Sequence, residues 1–404
     1  MLRREFYLSQ LEQLKNEHII KVLTGIRRCG KSTILEMYKL DLLKQSKNVI
    51  FYNFESPQSF QLNDWQNTYS TIASQLRAEQ MNYIILDEVQ HVTEFEKLVD
   101  ALFILKNVDL YITGSNAFLL SSQLATLLSG RYIEINVTPF SFAEYYQAAN
   151  ANTNRSQSEL LFDYLSETGF PQPLYFQHRS DQLTEKYLTS VFATVVEKDI
   201  IQKLRPSSQN NFLNLTRFMF QNIGNPFSTL RISKILTTQS VHIDPKSVEK
   251  YLGALQDSFV LYQANRFDIK GNKLLETVEK YYLVDLGLRR IVLGLSPQTD
   301  LGHQLENIIC FELLRRYGQV WAGKLGANEI DFVIVNDNSE PEYYQVALTA
   351  LDPATYEREL KPFTSIKNNY PKYLITTDYK LPNHNGFIHL NAANWLLSDT
   401  HSLR

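Results

Sequence analysis

Five short apolar runs punctuate the first third of the chain: Ile19 to Leu23, Val49 to Asn53, Tyr83 to Leu86, Leu110 to Thr113 and Tyr132 to Val137. They are rich in β-branched and aromatic residues and are nearly continuous rather than alternating, which predicts strands buried on both faces. Helix-like stretches such as Ser32 to Leu43 and Phe95 to Leu105 lie between them. This strand and helix alternation predicts a parallel sheet covered by helices. After Pro139 the pattern changes. Phe142 to Leu204 reads as helices, interrupted by the Gly169-Phe170-Pro171-Gln172-Pro173 turn and ended near Pro206.

From about Asn211 the pattern predicts a helix, a second around Arg231 to Leu236, a polar break at His242 to Pro245 and a third from Lys246 to Leu255. Val260 to Ala264 and Lys280 to Val284 then read as the two wing strands of a winged helix. A last block opens at Gly302 with a helix to Tyr317, followed by strands near Ile330 to Val335, Tyr343 to Ala347 and Tyr373 to Thr376. The expected organisation is an α/β core over residues 1–138, a helical lid over 139–207, a winged-helix-like segment over 208–290 and an α/β block over 291–404. No internal repeat interrupts it. A length of 404 residues agrees with several domains, since one core rarely fills more than about 250–300 residues.

Charge changes this picture little: the formal net charge is -3, with both signs interspersed, so composition makes no global commitment to nucleic acid. The two cysteines, Cys29 and Cys310, have no metal-type spacing and predict neither a disulfide framework nor a zinc site. No apolar run reaches the ~18 residues of a membrane span, and the sequence from Leu2 to Phe6 leads into a mixed polar helix. A cytoplasmic protein without a membrane partner is the expectation.

The chemistry lies after the first strand. Gly25-Ile26-Arg27-Arg28-Cys29-Gly30-Lys31-Ser32 matches G-x-x-x-x-G-K-[ST], follows a predicted strand and opens a predicted helix, so Gly25 to Thr33 is the expected ATP-binding loop. Backbone N–H groups and the helix N-terminus would face the phosphates, Lys31 would reach the β and γ phosphates, and the Ser32 hydroxyl would bind Mg2+. Tyr83-Ile84-Ile85-Leu86-Asp87-Glu88 is an apolar run ending in two carboxylates at the same sheet edge. Asp87 is the expected second magnesium ligand, and Glu88 the group that activates the attacking water. Thr113-Gly114-Ser115-Asn116 offers Asn116 as a γ-phosphate sensor, although turn chemistry explains these residues equally well. Arg131, in Ser129-Gly130-Arg131, suits either an arginine finger or a surface ion pair.

These pieces resemble prokaryotic AAA-type ATPases that carry a C-terminal domain of unknown function. The likeness rests on Thr24 to Thr33, Leu86-Asp87-Glu88-Val89-Gln90, Thr113 to Asn116, Ser129 to Arg131 and Pro139-Phe140-Ser141-Phe142-Ala143-Glu144. It continues through Lys280 to Gly287, Leu305-Glu306-Asn307, Glu329-Ile330-Asp331-Phe332 and Gln345-Val346-Ala347. The resemblance implies an AAA core, a winged helix and a last domain similar to the PD-(D/E)xK nuclease fold. In that fold a helix carboxylate, a strand Asp and an acidic residue followed two positions later by Lys hold a divalent metal and activate water. Glu306 and Asp331 suit the first two roles. Gln345 and Ala347 stand where the third carboxylate and the lysine belong, so the expectation is a degenerate domain, with Lys324 or Lys361 the cations within conceivable reach.

The leading expectation is an ATP-hydrolysing switch acting on DNA, with Arg231, Lys234, Lys246 and Lys250 as candidate phosphate contacts. An ATP-regulated nuclease and an ATPase that engages only proteins are the alternatives, and a homo-oligomer is a candidate state in which Arg131 serves a neighbouring subunit.

Overall fold

Ile20–Thr24, the first apolar run, forms β1, and all five of its residues are buried. It lies inside a parallel sheet with β2 (Asn48–Asn53), β3 (Asn82–Asp87), β4 (Val108–Thr113) and β5 (Tyr132–Asn136), in the order β2-β3-β4-β1-β5. Helices α1 (Glu5–Gln13), α2 (Lys31–Lys44), α3 (Trp65–Ala73) and α4 (Phe95–Phe103) accompany these strands. The computed structural model describes residues 2–114, 130–150, 155–204, 208–271, 273–296, 299–326, 328–381 and 386–398. It divides into two compact units, Met1–Pro139 with Asp257–Phe259 and Phe140–Gln256 with Val260–Arg404.

In the first unit each expected strand is present. One core joins Ile20, Val22, Ile84, Leu86, Leu110 and Ile112 to Leu98, Val99 and Leu102 of α4. β4 starts two residues earlier than the apolar run indicated, because Asp109 is a buried strand residue despite its charge. Its Oδ1 lies 2.5 Å from the ammonium of Lys21 in β1, its Oδ2 accepts from the Asn16 N–H (2.8 Å) and the Tyr111 hydroxyl (2.8 Å), and both charged side chains are almost fully enclosed. Burial pulls the pKa of Lys21 down, while the hydrogen bond and charge of Asp109 act against that.

The second unit begins with α5 (Phe142–Asn150), α6 (Gln157–Ser166), a short helix at Pro171–Leu174 and α7 (Asp181–Thr194). Then come α8 (Gln209–Gln221), α9 (Thr229–Thr238), α10 (Pro245–Asp257), β6 (Leu261–Asp268), β7 (Lys273–Leu283), α11 (Leu286–Leu293) and α12 (Leu301–Tyr317). β8 (Trp321–Leu325), β9 (Asn328–Val335), β10 (Pro341–Val346), α13 (Pro353–Thr364), β11 (Lys372–Thr376), β12 (Ile388–Asn391) and α14 (Ala392–Leu397) complete it. β6 and β7 pair antiparallel, as expected of a wing, but they also form one end of a seven-stranded sheet ordered β12-β11-β10-β9-β8-β6-β7. The link is β8, whose Ala322 to Lys324 pair in parallel with Arg266 to Asp268. Gly323 and Lys324 weaken its apolar signal, which is why the pattern along the chain passes over it.

Asp285 ties the helical part of this unit to the sheet: it caps α11 through the Leu288 N–H (3.1 Å) and accepts from the Gly169 N–H (2.7 Å) and the Thr168 hydroxyl. Burial raises its pKa to about 6 against these hydrogen bonds. Among the described residues no helix is long and apolar enough to cross a membrane.

Removing one member of a buried ion pair leaves the other charged in a low dielectric. Asp109→Ala is expected to lower the stability of the first unit by about 3–5 kcal/mol, read from urea denaturation, whereas a change below about 0.5 kcal/mol would show that water reaches Lys21.

Candidate functional site

The loop from β1 to α2 is shaped by backbone positions that few residues tolerate. Gly25 has φ 132° and Gly30 has φ 105°, and a Cβ built on Gly25 would stand 2.0 Å from the Val137 carbonyl oxygen. Side-chain volume is therefore excluded from the place where the loop turns against the chain leaving β5. Lys31 opens α2 with its ammonium folded back onto the loop, donating to the Gly25 carbonyl at 2.9 Å and the Ile26 carbonyl at 3.3 Å. Arg4, buried just before α1, fixes the other side by donating to the carbonyls of Cys29 (2.9 Å), Thr138 (2.9 Å) and Pro139 (3.3 Å). Cys29 itself is wholly buried, Arg27 is partly buried and Arg28 is exposed.

The carboxylates meet this loop because all five strands run parallel and end at one edge. Asp87, the last residue of β3, is fully buried. Its Oδ1 accepts from Ser32 Oγ (3.1 Å) and Thr113 Oγ1 (2.6 Å), and its Oδ2 accepts from Asn53 Nδ2 (2.9 Å). Burial raises the Asp87 pKa; the Thr113 and Ser32 hydrogen bonds oppose this, and the nearby charge of Glu88 adds to it. Such an oxygen is well suited to a cation. A hydroxyl and one carboxylate are the protein ligands Mg2+ typically takes when phosphates and water complete the octahedron, so Ser32 and Asp87 fit that ion.

Glu88 follows with φ 55°, its N–H donating 2.8 Å to Thr113 Oγ1 and its Oε2 accepting from the Gln90 amide. Beside it, Glu55 lies 3.6 Å from His91 and 3.9 Å from Arg27. The hydrogen bond with Glu55 raises the His91 pKa and lowers that of Glu55.

Gly25 to Thr33, Asp87 and Glu88 are thus brought together. Sequence reasoning missed Arg4, Asn53 and the Glu55–His91 pair, and it did not give Thr113 its place beneath both carboxylates. Asn53 had a signal, since it ends an apolar run just as Asp87 does; Arg4 had none. Asn116 lies outside the described residues, as do Ser115 and Ser129.

Arg131 is not brought to this site in its own chain. Parallel register sets Tyr132 opposite Ile20 and Asn136 opposite Thr24, so Arg131 sits at the far edge of the sheet, about 20 Å from Gly25 at ~3.3 Å per residue. There its guanidinium lies 2.8 Å from Asp100 and over the Phe103 ring, which is the ion-pair alternative.

In the second unit Glu306 of α12 and Asp331 of β9 converge as expected. The cation between them is Lys280 of β7 rather than Lys324 or Lys361. Gln345 is engaged at both ends of its amide: Nε2 donates to Glu359 (3.0 Å) and Oε1 accepts from the Asp331 N–H (3.4 Å). Burial, reinforced by the charge of Glu306, raises the Asp331 pKa to about 8. Arg231, Lys234, Lys246 and Lys250 are all exposed.

An AAA-domain family matches residues 17–146, and a domain of unknown function, DUF8612, matches residues 158–299, stopping short of Glu306 and Asp331. An uncharacterized protein of Haemophilus influenzae is 37% identical over 404 residues, covering 98% of this chain and 99% of its own length. The uncharacterized protein MJ1544 of Methanocaldococcus jannaschii is 27% identical over 362 residues, covering 85% of this chain and 78% of its own. Among solved structures, AMPPCP-bound DnaA from Aquifex aeolicus is 10% identical and covers 62% of this chain and 86% of its own, with a TM-score of 0.30, too loose a superposition to carry an argument.

The contact at Gly25 is open to a direct test. Gly25→Ala is expected to weaken binding of a fluorescent ATP analogue by at least about tenfold (1.4 kcal/mol), and unchanged affinity in a folded variant would mean that the loop can turn without this close approach.

Proposed function

The chain belongs to one family with the Haemophilus influenzae protein, built on an AAA domain, and on that premise we propose that it is a magnesium-dependent ATPase whose turnover drives a conformational switch on DNA. The observation that carries this is that Ser32, Thr113 and Asn53 all donate to Asp87 and Thr113 also accepts from the Glu88 N–H, beside the loop whose Gly25 and Ile26 carbonyls hold Lys31.

Phosphate oxygens are stronger acceptors for the Lys31 ammonium than the two loop carbonyls it now engages, so it transfers from Gly25 and Ile26 to the β and γ phosphates. The N–H groups of the loop and the start of α2 complete the cradle. Magnesium, held by Ser32 and Asp87, would supply charge neutralisation across the transferring phosphoryl group. Glu88 leaves the Gln90 amide to orient and deprotonate the attacking water, while Thr113 holds its backbone. We read Arg131 as a finger only toward a neighbouring copy, since its own loop lies at the opposite edge of its sheet and within the chain it pairs with Asp100.

A switch needs a path from loop to chain exit, and Arg4 supports one. Its guanidinium holds the loop at Cys29 and the departing strand at Thr138 and Pro139, so loop movement on nucleotide binding bears on Pro139, the last residue before the chain leaves the first unit. We read residues 139–207 as a helical lid, 208–290 as a winged-helix-like segment and 291–404 as a nuclease-like domain that does not cleave DNA. The antiparallel β6–β7 pair after three helices supports the second, and exposed Arg231, Lys234, Lys246 and Lys250 support phosphate contact.

ATP turnover measured with and without single-stranded, duplex and branched DNA tests the reading; stimulation by one of them is expected, turnover without DNA binding at low salt would return the chain to an ATPase that engages only proteins, and absence of turnover would overturn the ATPase reading. Lys31→Ala is expected to lower ATP affinity by at least ~10-fold (1.4 kcal/mol). Glu88→Gln keeps affinity while turnover falls by about 10²–10⁴-fold, and parental turnover in that variant would remove Glu88 from catalysis.

For Arg131→Ala the expected outcome is a fall of orders of magnitude in turnover with ATP affinity kept, together with a parental specific rate that rises with protein concentration. A rate independent of concentration in a strict monomer would leave Arg131 only its pairing with Asp100.

A further inference from the structure

Three carboxylates in the second unit face one point, and a lysine occupies it. The Lys280 ammonium lies 3.1 Å from Glu306 Oε1, 2.6 Å from Glu329 Oε1 and 3.6 Å from Asp331 Oδ1. The Tyr282 hydroxyl donates to Glu306 Oε1 at 2.8 Å, and the Val346 N–H donates to Asp331 Oδ2 at 2.9 Å. Gly224, at φ 73°, leaves the space that Glu306 needs, since a Cβ there would come within 3.0 Å of its Oε1. The lysine side chain is 3% exposed, and those of Glu306 and Asp331 are 13% exposed. Burial alone would lower the Lys280 pKa, but the charges of Glu306, Asp331 and Glu329 outweigh it and hold the group above its ordinary value, so it stays charged.

The arrangement is built from distant parts of the sheet. Lys280 stands on β7, three places from β9 in the strand order, and reaches across because β6 and β8 pair only at Arg266 to Asp268. A divalent ion joining Glu306 to Asp331 needs oxygen ligands at about 2.0–2.2 Å and the space between them. The ammonium has that space. Its three N–H donors face three carboxylates, and a second cation there would be repelled at contact distance. Gln345, in the third ligand position, is itself engaged by Glu359.

We infer that Lys280 is a built-in substitute for a metal ion: the domain keeps a metal-type carboxylate constellation around an ammonium and takes no divalent cation there. The fit of a metal to Glu306 and Asp331 therefore fails in this chain for a positive reason, an occupied centre, and not only because Gln345 and Ala347 lack charge. This holds whether or not the first unit hydrolyses ATP.

The test counts Mn2+ bound to the full-length chain by electron paramagnetic resonance, without nucleotide, alongside thermal unfolding. Asp331→Asn is expected to bind as many Mn2+ ions as the parent, because the parent holds none at this point. Lys280→Ala is expected to bind one more than the parent and to be stabilised by Mn2+, both effects disappearing in Lys280→Ala/Glu306→Gln. Should Lys280→Ala unfold in buffer, recovery of the fold on adding Mn2+ is the supporting result. Loss of one Mn2+ from the parent on Asp331→Asn would overturn the inference, as would a Lys280→Ala chain that stays metal-free or unfolded in Mn2+.

Discussion

A carboxylate with no access to water must find all its partners inside the protein, and Asp87 organises the first unit for that reason. Asn53, Ser32 and Thr113 reach it from the ends of β2, the start of α2 and the end of β4. Those hydrogen bonds need the three strands to finish at the same level, which parallel register provides, and they need α2 to begin immediately after a tight loop. The shape of the loop follows from the same demand. Gly25 must pass the Val137 carbonyl closely for Lys31 and Ser32 to open α2 beneath the strand ends.

Two buried lysines show how differently one chemical group can serve. Lys21 meets a single carboxylate, Asp109, in the middle of a parallel sheet. Burial remains the larger effect on it and lowers its pKa, so the pair specifies that β1 and β4 be neighbours more than it strengthens their union. Lys280 meets three carboxylates from two elements, which outweigh burial and raise its pKa. One lysine is a register pin; the other is the centre of a coordination shell.

The strands and the loop were legible because their signals are local. Apolar runs mark the strands, and G-x-x-x-x-G-K-S between a strand and a helix carries its own context. A charged residue at the edge of an apolar run was not legible: Asp109 fell outside the predicted β4, since nothing adjacent reveals its partner 88 residues earlier. The position of Arg131 was not legible for a related reason. Its place beside Gly130 is local, but its distance from the loop depends on which residue of β5 faces Ile20. Lys280 was given no role beyond its strand and the resemblance, because its three partners come from later elements. In each case the missing information was a pairing between distant strands, which periodicity does not contain.

The guanidinium of Arg4 engages Cys29, Thr138 and Pro139 through their main-chain oxygens. Every residue type offers that oxygen, so substitutions at those three positions can accumulate over evolution without loosening the clamp. The tie between the loop and the exit of the sheet would thus leave no trace as correlated change in an alignment. Position 4 would stay constant beside partners that drift, and a search for co-varying pairs would pass over the contact that joins them.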